Sequence, residues 1–450
     1  MGQAAARGSA AAGSAVSGSV VSGGVVSGGV VSGGVAEALS AAAGGERLRI
    51  VAGLIRVTGD WDLAEDCVQD AVERALARWP VDGVPRNPAA WLTTTAYRRA
   101  LDILRRRRAE ADKLRELSAM AISEERFSGA LPDHDPGGGV YRDDRLRLLF
   151  SCCHPALPLA GRVALTLKTV AGLSTREIAS AFLVSEATMG QRLLRTRAKI
   201  AHAGISLRVP QSHRLAERVA GVLAVIYLVY NQGYAHPEPG DSRDLAAEAV
   251  RLADLLTQLL PCDDEVHGLR ALLLLQHSRR SARTDAGGEL VPLPEQDRSR
   301  WDASMVAAGL SGLSDARATG RPAGPYRLQA EIAAEHAVAA DAASTDWARV
   351  VDRYEALLRV QPSPVAELNR AAAIGFRDGP LAGLHALAEV ERAGRLGAYY
   401  LLPAVRADLL RRAGRHQEAT DAYRDALKLV PSAAERRFLE RRARGVVNES

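Results

Sequence analysis

Aromatic residues make up only 4% of this 450-residue chain, and alternating β-branched runs are confined to its extreme N-terminus. Alanine, leucine and arginine dominate, which favours helices and argues against a β-sheet protein. The four cysteines, Cys67, Cys152, Cys153 and Cys262, form no CxxC pair, so reduced thiols of a cytoplasmic protein are expected, not a disulfide framework. Cys152 and Cys153 precede His154, but adjacent cysteines cannot easily point at one ion and no second ligand pair stands nearby; no metal and no cofactor are expected. The longest apolar run, Val219 to Tyr230, falls short of the ~20 residues a bilayer span needs and reads as a buried helix. No basic start leads into a continuous apolar core, so a secretory signal is not expected. Without a phosphate-cradling loop or a nucleophile–base spacing, neither is an enzyme. A net charge of only +5 excludes general polyanion affinity, and any nucleic-acid argument rests on local clustering.

Length allows about three domains. Residues 1–45 carry a V-S-G repeat too rich in glycine for a packed core, and a disordered extension is expected. Residues 46–110 read as a compact helical segment. The helix from Asp62 to Trp79 has an apolar stripe (Ala64, Val68, Ala71, Ala75, Trp79) and an acidic face of Asp62, Asp66, Gln69, Asp70 and Glu73. A face of one sign suits a basic partner, although a merely solvated surface explains it too. Between Arg86 and Arg108 stand seven arginines (86, 98, 99, 105, 106, 107 and 108) against one acid, Asp102, with Trp91 and Tyr97 interleaved. Arginine supplies phosphate contacts and aromatics supply stacking surfaces for unpaired bases, while Trp91 by itself reads better as core. Residues 111–142 have the composition of a linker.

The stretch that organises the rest lies within residues 143–207. Ser174 and Glu177 form a capping box for one short helix, and Ser185 caps the next. In that second helix Met189, Leu193, Thr196 and Ile200 face inward, while Thr188, Gln191, Arg192 and Arg195 share the opposite face. Such a face fits the base edges of a DNA major groove; an ordinary helical hairpin with a solvated basic side is the plainer reading. Leu183 stands in the turn, where glycine is usual.

Residues 208–345 form a helical extension. His236, Glu238 and Asp241 could be drawn as a ligand cluster, but with two prolines and a glycine between them a capped loop is the better account. Within residues 346–450, RYEALLRVQPS (353–363) aligns with AYRDALKLVPS (422–432), an offset of 69 and so twice ~34, the tetratricopeptide period. Such arrays hold partners and perform no chemistry.

Together these residues resemble a bacterial RNA polymerase sigma factor of the sigma-70 family, extracytoplasmic-function type. The strings WLTTTA and FLVSEATM, with the repeat-bearing tail, resemble a subgroup with a C-terminal extension. The resemblance implies an all-α fold: two small helical domains, region 2 (46–110) and helix-turn-helix region 4 (143–207), followed by a helical extension with tetratricopeptide-like repeats. It implies core RNA polymerase as partner, through its β′ coiled coil and β flap, and promoter DNA as the second partner. Asp62, Asp66, Gln69, Asp70 and Glu73 would face polymerase. Arg86, Asn87, Trp91, Tyr97, Arg98, Arg99, Arg105 and Arg106 would meet the −10 element, and Ser185, Glu186, Thr188, Gln191, Arg192 and Arg195 the −35 element. The tail would regulate activity. The alternative is a helix-turn-helix regulator with a repeat-type interaction domain that does not join polymerase.

Overall fold

The computed structural model describes residues 33–118, 144–235 apart from 183, 206, 208–209 and 211, 244–430 apart from 286 and 398, and 433–448. Among these the chain is all-α, with a single isolated bridge, Thr284 to Leu290. No described helix is long and apolar enough to cross a membrane. His236, Glu238, Asp241 and Leu183 lie outside the described residues. The chain divides into two compact units, residues 1–212 and 213–450.

In the first unit α1 (Gly33–Thr58), α2 (Trp61–Asp82) and α3 (Pro88–Ser118) pack on one another. Two helices run beyond the segment 46–110. Helix α1 begins inside the stretch expected to be disordered, because Val35 and Leu39, one turn apart, are both buried. Helix α3 runs past residue 110 to Ser118, because EADKLREL is itself a strong helix former. Asp60 caps α2 by accepting from the Leu63 amide, 3.0 Å away. The rest of the unit is α4 (Asp144–Cys152), α5 (Leu159–Leu165) with a π-helical turn (Thr166–Val170), α6 (Thr175–Ala181) and α7 (Glu186–His202).

Residues 46–110 and 143–207, expected as two domains, share this one unit. Helix α1 is apolar nearly all round, with Val51, Leu54 and Ile55 buried, so it packs against α2 and α3 and also against α4 and the π-helical turn. Cys152 and Cys153 are buried, and the Cys153 thiol meets the Thr166 hydroxyl at 3.5 Å, which makes them core residues.

The second unit begins with α8 (Ser212–Ala235), whose apolar run is mostly buried, with Leu228 exposed, then α9 (Leu245–Leu259), α10 (Asp264–His277), α11 (Ala303–Ala318) and α12 (Pro325–Val338). Next come three helix pairs, α13 (Trp347–Val360) with α14 (Pro364–Arg377), α15 (Pro380–Arg392) with α16 (Leu401–Arg412), and α17 (His416–Leu429) with α18 (Ala433–Asn448). Each helix packs on the next, the stacking of a tetratricopeptide-like array. The aligned strings fall on α13 and α17. Gly379 (φ 95°) and Gly414 (φ 74°) turn the chain from one pair to the next, at angles that side chains with a Cβ resist. No break falls at residue 345: the buried Glu331 carboxylate on α12 meets Arg317, Arg327 and Arg353, of α11, α12 and α13, at 3.2, 3.4 and 2.9 Å.

His336 gives this unit a pH dependence. Burial, with Arg298 and Arg279 nearby, holds its imidazole down from 6.5 to about 4. The unfolded chain therefore takes a proton that the folded one refuses, so stability is lost as pH falls from about 6.5 towards 4, by up to about 3 kcal/mol. The pH 7 to pH 4.5 drop in melting temperature should be smaller in His336→Gln than in the parent; equal drops would remove His336 as its cause.

Candidate nucleic-acid interface

The helix-turn-helix forms as its capping residues dictate. Ser174 accepts from the Glu177 amide at 3.1 Å, and Glu177 reaches back to the Ser174 amide at 2.6 Å. Ser185 caps α7 by accepting from the Thr188 amide at 3.2 Å. Met189, Leu193, Thr196 and Ile200 are buried. Ser185, Glu186, Thr188, Gln191 and Arg195 are exposed and Arg192 is half-exposed. All six thus stand together on the outer surface at the N-terminal half of α7, the end that enters a major groove in helix-turn-helix proteins.

Gly190 lies within α7, and a Cβ built there would meet nothing within 4 Å. Gly190→Ala should raise stability by about 1 kcal/mol, measurable as a higher urea midpoint with unchanged slope. If stability rises while duplex binding weakens, the bare backbone is where DNA approaches closely.

Arg86, just ahead of α3, and Arg98 and Arg106 on it are exposed and pair with no carboxylate among the described residues. Arg105 reaches Asp102 at 3.7 Å with both side chains exposed, a contact too weak to occupy it. Asn87 is a cap, accepting from the Ala90 amide at 3.0 Å just ahead of Pro88. Trp91 is half-buried, its ring edge-on to the buried Trp79 at 5.5 Å. Tyr97 turns inward: its hydroxyl fills the space a Cβ on Gly53 of α1 would need, and burial raises its phenol pKa.

On α2, Asp62, Asp66, Gln69 and Glu73 are exposed, and the Gln69 amide donates to Glu73 at 3.1 Å. Two members of the expected faces hold one another, since Arg99 bonds Asp70 at 2.5 Å and so ties α3 to α2. Arg107 meets Asp60 at 3.0 Å in the same way.

Arg197 is the residue that pattern reading passed over. It projects from α7 to α2, where it pairs with Asp62 and, at 3.0 Å, with Glu65. Both Glu65 and Arg197 are largely enclosed, and burial raises the Glu65 pKa and lowers that of Arg197. The Thr169 hydroxyl donates to Glu65 at 2.9 Å, and Arg47 donates to the Thr169 carbonyl at 3.2 Å. A signal was present: Leu193, Arg197 and Ile200 fall at i, i+4 and i+7, which places a charge inside the buried stripe.

Residues 46–110 match the sigma-70 region 2 family, and residues 147–200 match sigma-70 region 4. A protein described as "Probable ECF RNA polymerase sigma factor SigI", from Mycobacterium tuberculosis, is 30% identical over 183 residues, 40% of this chain and 61% of that protein. The chain belongs to the sigma-70 family, of the extracytoplasmic-function type. The sigma factor carries a C-terminal extension, within which residues 218–317 match a family of unknown function (DUF6596). An uncharacterized protein of Rhizobium meliloti is 44% identical to the sigma factor over 403 residues, 87% of this chain and 92% of that one. Yeast Tom70 is a distant structural neighbour, at 10% identity and a TM-score of 0.30 over 93% of this chain and 86% of its own. That similarity is too slight to argue from, and the repeat assignment rests on the helix stacking described above. Sigma-70 factors are DNA-binding initiation factors and not enzymes, so the interface has no catalytic residue to supply.

Proposed function

We propose that this sigma factor docks on the β′ coiled coil of core RNA polymerase through the α2 acidic face, centred on Asp66, with region 4 engaging the β flap. Arg86, Arg98, Arg105 and Arg106 meet the −10 strand, unpaired bases lodging beside Asn87 and Trp91. The outer face of α7 reads the −35 element in the major groove. Trapping unpaired bases in protein pockets offsets the few kcal/mol of unstacking that melting costs. The observation that carries this reading is the juxtaposition, within one region 2 fold, of an exposed acidic row on α2 and an exposed arginine row, Arg98, Arg105 and Arg106, on α3.

A unit of this size is ~40 Å across. Elements named −10 and −35 lie about 25 base pairs, or roughly 80 Å, apart. Regions 2 and 4 therefore separate when both elements are held, and the Arg197 contact with Asp62 and Glu65 breaks. The extension, lying beyond residue 212, governs how readily this happens, and the whole acts in the cytoplasm.

Run-off transcription with purified core enzyme tests the reading. Full-length protein should direct initiation from a cognate promoter, and truncation after Leu207 should change the yield. Failure to co-elute with core enzyme, together with retained duplex binding, would favour the helix-turn-helix regulator that acts without joining polymerase.

A further inference from the structure

Inside the extension three polar atoms are buried without a hydrogen-bond partner at one place: the Tyr230 and Tyr234 hydroxyls and His277 Nδ1. The Tyr230 and Tyr234 rings stack at 5.3 Å, and the His277 ring stands 6.2 Å from Tyr230. Tyr230 is wholly enclosed, with Val225, Ile226 and Val229 buried around it on α8. Phenylalanine would pack there as well without withdrawing a hydroxyl from water, so packing does not account for these groups. Gly233 keeps the site tight, since a Cβ would come within 2.4 Å of the Ala246 amide nitrogen on α9.

Positive charge gathers at the same place. Of Arg279, Arg280 and Arg283, Arg280 alone finds a carboxylate among the described residues, Asp244. Arg283 lies 3.7 Å over the Tyr234 ring and donates to the Tyr234 carbonyl at 2.6 Å. Arg279 sits 6.0 Å from that ring, and its guanidinium makes no hydrogen bond or ion pair among the described residues. Its charge reaches Tyr230 on one side and His336 on the other. The described acids in range are committed elsewhere: Asp302, facing His277, caps α11, and Asp341, near Arg298, closes its own turn with Ser344.

We infer that the extension holds a binding site for a small anionic molecule, a carboxylate or a phosphate, in which Arg279 supplies the forked cation and Tyr230, Tyr234 and His277 the neutral donors. A guanidinium matches two oxygens of either group, and two phenols and an imidazole complete a donor set with nothing among the described residues to accept from it. Arg279, Tyr234 and His277 are half-exposed and give entry, while the enclosure of Tyr230 limits the site to a small ligand. The site stands independently of how regions 2 and 4 engage polymerase and DNA.

The test uses full-length protein titrated separately with sodium phosphate and sodium succinate, at ionic strength held constant with chloride. Calorimetry and thermal unfolding are the readouts. A saturable heat and a rise in melting temperature with at least one probe are expected, the responding probe identifying the head group. Arg279→Gln should weaken that binding by roughly tenfold or more with unchanged far-UV circular dichroism. Tyr230→Phe should also weaken it, yet leave the unliganded melting temperature equal or higher, because an unpaired hydroxyl has been removed. No saturable response to either probe, unchanged affinity in Arg279→Gln, or a lower unliganded melting temperature for Tyr230→Phe would each overturn the site.

Discussion

Asp66→Ala combined with Asp70→Ala should weaken association with core RNA polymerase roughly 100-fold or more, the loss expected when charged anchors are removed from the centre of an interface. The two positions are not equivalent. Asp66 is exposed and its removal disturbs no described internal contact, so Asp66→Ala isolates docking. Asp70 is half-buried against Arg99 at 2.5 Å, so Asp70→Ala also releases an arginine beside the DNA-facing row. The single variants should therefore diverge: Asp66→Ala loses polymerase and leaves isolated DNA binding alone, whereas Asp70→Ala loses less polymerase and gains affinity for single-stranded DNA. Co-elution with core enzyme and fluorescence anisotropy on a −10 oligonucleotide separate the two effects. Full polymerase affinity in the double variant would remove α2 as the docking helix.

The second large effect concerns Arg197. If its contact with Asp62 and Glu65 favours the closed unit by about 2 kcal/mol, only a few per cent of molecules are open, and the apparent affinity of a partner that needs the open form falls by that fraction. Arg197→Ala should then tighten polymerase binding by up to about 30-fold while lowering the melting temperature of the free protein, because Glu65 is left enclosed without its cation. Arg197→Met, which keeps the stem that packs beside Leu193 and Ile200, should give the same tightening with a smaller thermal penalty. Unchanged polymerase binding in both variants would make the contact purely structural.

What was legible in the sequence was what local rules control. Ser174, Glu177 and Ser185 announce two helix starts, and the spacing of Met189, Leu193, Thr196 and Ile200 announces which side of α7 is hidden. The acidic face of α2 could be read in the same way. Partnerships across helices could not be, because a periodic pattern says that a face is exposed or buried and not what it meets. Arg99 and Asp70, assigned to different partners, meet each other; Tyr97 turns to Gly53; Asn87 is spent on a cap. The start of α1 was hidden because a glycine-rich repeat runs directly into it, and the shared unit because α1 packs on α4 and the π-helical turn as well as on α2 and α3.

The last helix has a bearing on synthesis. Arg437 and Arg441 of α18 hold Glu289, and Arg442 holds Glu295, contacts that join residues about 150 positions apart. Each is exposed and worth little alone, yet none can form until α18 has left the ribosome. The first unit ends at Ser212, with more than half the chain still untranslated, so at ordinary elongation rates it is complete for tens of seconds before the extension can close. A nascent chain therefore presents the helices of regions 2 and 4 before the extension is complete. Slow codons or a ribosome stall late in the message would lengthen that interval.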